Sequence, residues 1–316
     1  MAINANKPAL WKKDIAESVD YYNKWFIKFA PKTFRITRKD TSNTVLETFK
    51  LTSNLQKLTP AILKKHPSII QTLRMSTCPP IARDRLVGLT SIAKHLILSM
   101  EEGKLPPQMK GKVLDEYLNR ICSIICKLID SDIIPWLEED RTPDAHECER
   151  ASTIIADRLC GAVADPIIRN AQEQRQLMNI LKYLEKLGYK YLSPSEITDW
   201  QNMKKGTFTF RLNISVGNKH KVNIPIDVVI MPNKAGANQY PILIEAKSAG
   251  DFTNTNKRRK EEATKIRQLK DTYGAKINFM LFLCGYFDSG YLGYEAAEGI
   301  DWIWEHRIDD MIKLGL

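Results

Sequence analysis

From Phe208 onward the apolar residues of this chain stop recurring every three or four positions and recur every two. Phe208, Phe210, Leu212, Ile214 and Val216 alternate with Thr209, Arg211, Asn213 and Ser215. That period belongs to a strand with one wet face. Gly217-Asn218 marks a turn. Strands are then predicted over Val222 to Met231 and Tyr240 to Ala246, a charged helix over Thr255 to Tyr273, and a buried strand over Ile277 to Cys284. A helical segment over Ala296 to Leu314 is expected to close the chain.

The first half reads differently. Trp11, Ile15, Val19, Tyr22, Phe26 and Phe29 share one helical face, and Ala30-Pro31 is expected to interrupt it. Short helices between prolines follow, over Leu55 to Leu73 and Ile81 to Leu98. Longer helical patterns run over Val113 to Ile129 and Gln172 to Leu187, with one more short helix over Ser152 to Val163. The pattern changes near residue 165. The chain is therefore expected to be α/β, with an all-helical domain over 1–164 that grips DNA or makes a dimer contact. A mixed central sheet flanked by helices is expected over 165–316.

The net charge of +10 favours a polyanionic partner, most commonly nucleic acid. No apolar stretch is long enough to span a membrane, and no signal peptide is evident. The six cysteines are too few for a disulfide scaffold in 316 residues. A reduced, cytoplasmic setting is expected. Cys122, Cys126, His146 and Cys148 match no zinc-finger spacing, and the cysteines read as buried free thiols on an apolar helix. No Walker loop is present, which argues against ATP-driven chemistry.

The chemistry concentrates between Pro225 and Lys247. Asp227 falls in one predicted strand. After seventeen residues Glu245 and Lys247 follow in the next, two apart and so on one face. A charged pair at the end of the apolar run Ile242-Leu243-Ile244 is unexpected for packing alone, because a buried carboxylate needs a partner or a metal. Mg²⁺ suits the pair, with Mn²⁺ able to take its place. It accepts one or two carboxylates and fills its shell with water and phosphate. Asp227, Glu245 and the Ala246 carbonyl would ligate it, and Lys247 would stand beside the attacking water. Phosphodiester hydrolysis follows as the expected reaction. The bland alternative is an exposed Glu245–Lys247 pair at a sheet edge.

This arrangement resembles the PD-(D/E)XK nucleases. Several stretches are similar to the XamI-type restriction endonuclease family, foremost Ile244-Glu245-Ala246-Lys247-Ser248-Ala249-Gly250-Asp251-Phe252-Thr253-Asn254. Others are Phe29-Ala30-Pro31-Lys32-Thr33-Phe34-Arg35, Pro79-Pro80-Ile81-Ala82-Arg83-Asp84-Arg85-Leu86 and Gly299-Ile300-Asp301-Trp302-Ile303-Trp304-Glu305. The resemblance implies a prokaryotic type II enzyme cutting a short palindrome such as GTCGAC, with a restriction-endonuclease-like core. It also implies a partner DNA methyltransferase. The proline here stands two residues before Asp227 rather than next to it. Glu173, on the helix before the sheet, is the candidate for the further acidic residue that this superfamily often supplies.

Double-stranded DNA is the expected partner. Lys257, Arg258, Arg259 and Lys260 open the helix after Lys247 and would clamp phosphates. Asn254 and Asn256 would reach base edges or phosphates from the loop and helix start. Arg83 and Arg85 form a second basic cluster. The alternative for each cluster is a solvated charge run paired with nearby acids. A palindrome read symmetrically calls for a homodimer. Two other classes remain open on the residues alone: a structure-selective repair or recombination nuclease, and a non-catalytic DNA-binding module.

Overall fold

The computed structural model describes the chain apart from Met1, Asn218, Lys219, Asn238 and Asn254, and apart from the side chains of Thr255, Asn256, Lys257 and Arg258. In chain order the helices of the first half are α1 (Pro8–Leu51), α2 (Pro60–Lys65), α3 (Ile70–Met75), α4 (Arg83–Thr90), α5 (Lys94–Glu101), α6 (Gly111–Leu128) and α7 (Ala145–Lys186). Then come β1 (Lys190–Tyr191), β2 (Thr207–Val216), β3 (Val222–Met231), β4 (Ile242–Ala249), α8 (Thr255–Tyr273), β5 (Asn278–Gly285), α9 (Ser289–Ala297) and β6 (Asp301–Trp304). A 3-10 segment, Glu305–Leu314, ends the described order.

The chain divides into two compact units. One joins the stretch ending at Phe29 to Arg169–Leu316, and the other is Ala30–Ile168. The first unit holds a six-stranded mixed sheet in the order β1-β2-β3-β4-β5-β6. Pairs β2–β3 and β3–β4 are antiparallel, whereas β4–β5 and β5–β6 are parallel. The crossovers α8 and α9 supply the helical connections that parallel pairs require.

Strand periodicity separates two apolar layers. Ile242 and Ile244 of β4, with Met280 and Phe282 of β5, join Leu177, Ile180 and Leu184 of α7 on one face. Leu243 of β4, with Phe279, Leu281 and Leu283 of β5, joins Ile266 and Leu269 of α8 and Leu292 of α9 on the other. β5 is buried along nearly its whole length, as the central strand of a sheet covered on both faces should be.

The beginning of α1 belongs with this sheet, whereas the sequence pattern assigned it to the helical half. The helical spacing shows an apolar face but not what covers it. Trp11 and Ile15 pack on the layer that contains Trp302. The Gly285 amide donates to Ser18 Oγ at 2.8 Å. Buried Asp14 takes both terminal nitrogens of Arg307, at 2.7 and 3.0 Å.

Three further expectations need correction. Pro31 lies inside α1 and does not end it, and the patterns over Ser152 to Val163 and Gln172 to Leu187, expected apart, belong to the single helix α7 with Pro166 inside it. Each proline removes one main-chain bond, and helices of 44 and 42 residues retain many others. The segment expected as a helix over Ala296 to Leu314 instead contains β6. Asp301-Trp302-Ile303-Trp304 is too short to declare a period, and it is fixed by pairing Met280 to Leu283 of β5 in parallel.

The second unit is helical. Leu114, Leu118, Ile121, Cys122 and Ile125 form the buried stripe of α6, and they pack with Leu63, Leu73, Leu96, Ile97 and Trp136. Trp136 Nε1 donates to the Asn54 carbonyl at 2.9 Å. Cys122 is buried there, while Cys126 is exposed and all six cysteines are free thiols.

Candidate active site

The β3–β4 ladder has three pairs, Ile230–Ile242, Val229–Leu243 and Val228–Ile244. β4 stays paired with β5 as far as Ala249. Beyond Val228 and Ile244 the two antiparallel strands therefore part, and the next residues are Asp227 and Glu245. The Ala246 amide, left without a ladder partner on that side, donates to Asp227 Oδ2 at 2.9 Å. The parting is matched on β2. Arg211 sits opposite Asp227, between the pairs Phe210–Val228 and Leu212–Ile226, and has a left-handed φ of 54°. A non-glycine residue in that region is strained, and such strain gathers at functional sites.

Glu245, Lys247 and Asp227 are close together. Glu245 is 5% exposed. Its Oε1 accepts from Lys247 Nζ at 3.0 Å and from Lys265 Nζ at 2.7 Å. Its Oε2 is buried and has no hydrogen-bond partner among the described residues. Burial, followed by the Glu245 charge, raises the Asp227 carboxyl to about 6. The Ala246 amide and the two lysines act in the opposite direction. Burial alone would depress Lys247, but the Glu245 and Glu262 carboxylates together raise it.

These groups line a cavity of about 350 Å³ with Gln172, Glu173 and Gln176 of α7. Gln176 is buried, and its amide donates to the carbonyls of Lys247 and Phe282, each at 3.3 Å, which fixes the helix to the strand bearing the lysine. Glu173 shares the cavity wall, but its Oε1 is engaged by Arg211 at 2.7 Å. Ala246 also lines the cavity.

Two residues that the sequence did not single out for the site belong to it. Glu262 is 1% exposed, and its Oε1 lies 3.5 Å from Lys247 Nζ. Burial raises its carboxyl to about 7. Lys265 follows one turn later on α8. Helical spacing could have placed these two on one face of α8, but nothing local shows that this face meets β4.

The expected DNA residues are spread more widely. Asn254 lies outside the described residues, as do the side chains of Asn256, Lys257 and Arg258. The Arg259 guanidinium stacks on the Tyr294 ring at 5.0 Å. Lys260 is exposed beside Lys265. Arg83 and Arg85 belong to the helical unit, where Arg83 is paired with Glu101 at 2.7 Å and Arg85 is exposed. Arg74, grouped with them by sequence, is buried against Glu101 and the Ile81 carbonyl. Asp14, Glu17 and His306 also approach one another within 4.8 Å. There a cation would have to compete with the Arg307 guanidinium for Asp14.

The donor set at Asp227 and Glu245 fits a hard divalent cation. It offers two neighbouring carboxylates, one raised by burial and then by the charge of the other, and an orphaned buried oxygen.

Residues 53–304 match the model of the XamI restriction endonuclease family. The chain belongs to that family. A type II restriction enzyme, SalI of Streptomyces albus G, is 54% identical over 313 residues, covering 99% of each chain. This XamI-family chain is thus a restriction endonuclease, and Asp227, Glu245 and Lys247 fall inside the matched region. A solved structure, protein VC1899 from Vibrio cholerae, aligns with a TM-score of 0.29 and 11% identity over 87% of this chain and 55% of its own. That likeness is too low to carry an argument about fold. No helix among the described residues is long and apolar enough to cross a membrane.

Proposed function

We infer that this XamI-family enzyme is a Mg²⁺-dependent type II deoxyribonuclease with a PD-(D/E)XK core, cutting both strands of a short palindrome. The observation that carries the reading is the pair Asp227 and Glu245 where β3 and β4 part, with Lys247 at 3.0 Å from Glu245 Oε1. Similarity to SalI, a type II enzyme by its name, supports the same reaction class.

Asp227 and Glu245 would hold the cation, with the Ala246 carbonyl as a third oxygen and Glu173 near enough in the cavity to add a fourth. When bound, the cation supplies Lewis-acid polarisation of the scissile phosphate and acidifies a water. Lys247 stands beside the attacking water and stabilises negative charge as it develops on the phosphate. Glu262 is a second carboxylate beside that ammonium. Gln176 fixes the main chain beneath it. Lys260, with Lys257, Arg258 and Arg259 of the same basic run, would follow the DNA backbone, and Asn254 and Asn256 would reach base edges or phosphates. Arg83 and Arg85 are assigned a DNA contact from the helical unit. A homodimer reading the two half-sites, protected in the cell by a methyltransferase of matching specificity, completes the proposal.

Digesting a sequenced plasmid with Mg²⁺ and mapping the ends tests this. Discrete fragments with one common terminal sequence are expected, with none in EDTA. Asp227→Ala should still shift a duplex in a gel without cutting it. A smear of random ends, or cutting that persists in EDTA, would overturn the reading.

A further inference from the structure

Glu245 Oε1 serves two ammonium groups where one would satisfy it. Lys247 reaches it along its own strand, and Lys265 reaches it from α8 at 2.7 Å. Lys265 Nζ also donates to the Pro225 carbonyl at 3.0 Å. Pro225 stands on β3 two residues before Asp227. One side chain on α8 therefore bridges the two strands whose separation forms the site.

The charges form an alternating row: Glu262, Lys247, Glu245, Lys265. Lys247 is held between two carboxylates. Lys265 lies at the end of the row, and Glu245 is the only carboxylate in its ion pairs among the described residues. Its side chain is 17% exposed. Beside it runs an open groove of about 500 Å³ lined by Ile224, Lys260, Glu261, Thr264 and Gln268. A lysine head on a flexible four-carbon stem can turn into that space without moving the helix.

We propose that Lys265 is a displaceable counter-ion of the metal-binding carboxylate. It competes with the divalent cation for the Glu245 carboxylate, and its ammonium turns into the α8 groove to meet a DNA phosphate once released. This rests on the reading that Asp227 and Glu245 hold the cation. An ammonium and a divalent cation repel each other, and a cation on the Glu245 carboxylate stands close to the ammonium already held by that group. Release of Lys265 is thus coupled to cation binding. By linkage, a duplex that captures the freed ammonium strengthens cation binding, and the cation strengthens duplex binding by the same factor.

The test is calorimetric titration of the full chain with Mn²⁺, without DNA, for the wild type, Lys265→Met, Lys265→Arg and Asp227→Asn. Lys265→Met should bind Mn²⁺ about tenfold more tightly than the wild type, and Lys265→Arg should stay near it. Lys265→Gln carries the same expectation as Lys265→Met and keeps a donor for the Pro225 carbonyl should the methionine variant fail to fold. In parallel, anisotropy with a random 30-base-pair duplex should show a Mn²⁺-induced gain in affinity that shrinks in Lys265→Met. Unchanged or weaker Mn²⁺ binding in both neutral variants overturns the proposal. If Asp227→Asn also loses no Mn²⁺ binding, the site reading itself falls. If Asp227→Asn loses it while the neutral variants match the wild type, only the counter-ion role falls.

Discussion

The Ala246 amide donates to Asp227 Oδ2 at 2.9 Å one step beyond the last β3–β4 ladder pair. One carboxylate thereby satisfies a main-chain donor that the parting strands leave open, and it still lines the cavity. The two duties separate in Asp227→Asn. The asparagine oxygen can accept from Ala246, so the melting temperature should stay within a few degrees of the wild type. The lost charge should lower Mg²⁺-dependent plasmid cleavage by about a thousandfold. Cleavage within tenfold of the wild type would remove Asp227 from the site.

Glu262 gives a second, independent handle. Its carboxylate is buried 3.5 Å from Lys247 Nζ, the ammonium that also donates to Glu245. Glu262→Gln keeps the shape and an acceptor but loses the charge that fixes the ammonium. Single-turnover cleavage should slow by about tenfold to a hundredfold while duplex affinity stays unchanged, because the loss is one of orientation. Glu262→Ala should slow it further. Equal losses in rate and duplex affinity would instead mean that the fold had shifted.

The candidate site was legible because the proposed reaction demands a pattern close in sequence. Asp227, Glu245 and Lys247 lie on two neighbouring strands, and alternation places Glu245 and Lys247 on one face. The central strand over Ile277 to Cys284 was legible for a similar reason, since it is apolar throughout and appears as β5. What escaped depends on contacts between distant segments. Lys265 and Glu262 look like part of a solvated helix until α8 is laid on β4. Trp11 and Ile15 show an apolar face without naming Trp302 as the layer they join. β6 is four residues long and takes its form from β5.

Glu295 predicts a pH effect on stability. It is fully buried on α9, and burial raises its carboxyl to about 8, with the Glu262 charge adding to the rise and Tyr291 and Arg259 opposing it. The folded value lies above the ordinary one of 4.5, so between these two values the folded state holds the proton more firmly than the unfolded chain. Stability should therefore fall as pH rises through that window. Glu262 acts in the same direction. Glu295→Gln has no proton to lose. By thermal unfolding it should match the wild type near pH 5 and exceed it near pH 8.5. A variant less stable than the wild type at the higher pH would contradict the burial of an uncompensated carboxyl.

Arg307 ties the start of α1 to the end of the sheet. Its guanidinium takes both oxygens of buried Asp14, at 2.7 and 3.0 Å, and also reaches Asp310 and Asn4. Asp14 is 2% exposed, so removing its partner leaves a carboxylate inside the protein without a cation. Arg307→Met should cost about 3 kcal/mol in urea unfolding. The double variant with Asp14→Asn should recover part of that loss, since the stranded charge is then gone and only the hydrogen bonds and the Asp310 contact are missing. Equal losses in the single and double variants would show that Asp14 finds water or another partner when the arginine is removed. Arg307 would then hold the start of α1 through its hydrogen bonds rather than by neutralising Asp14.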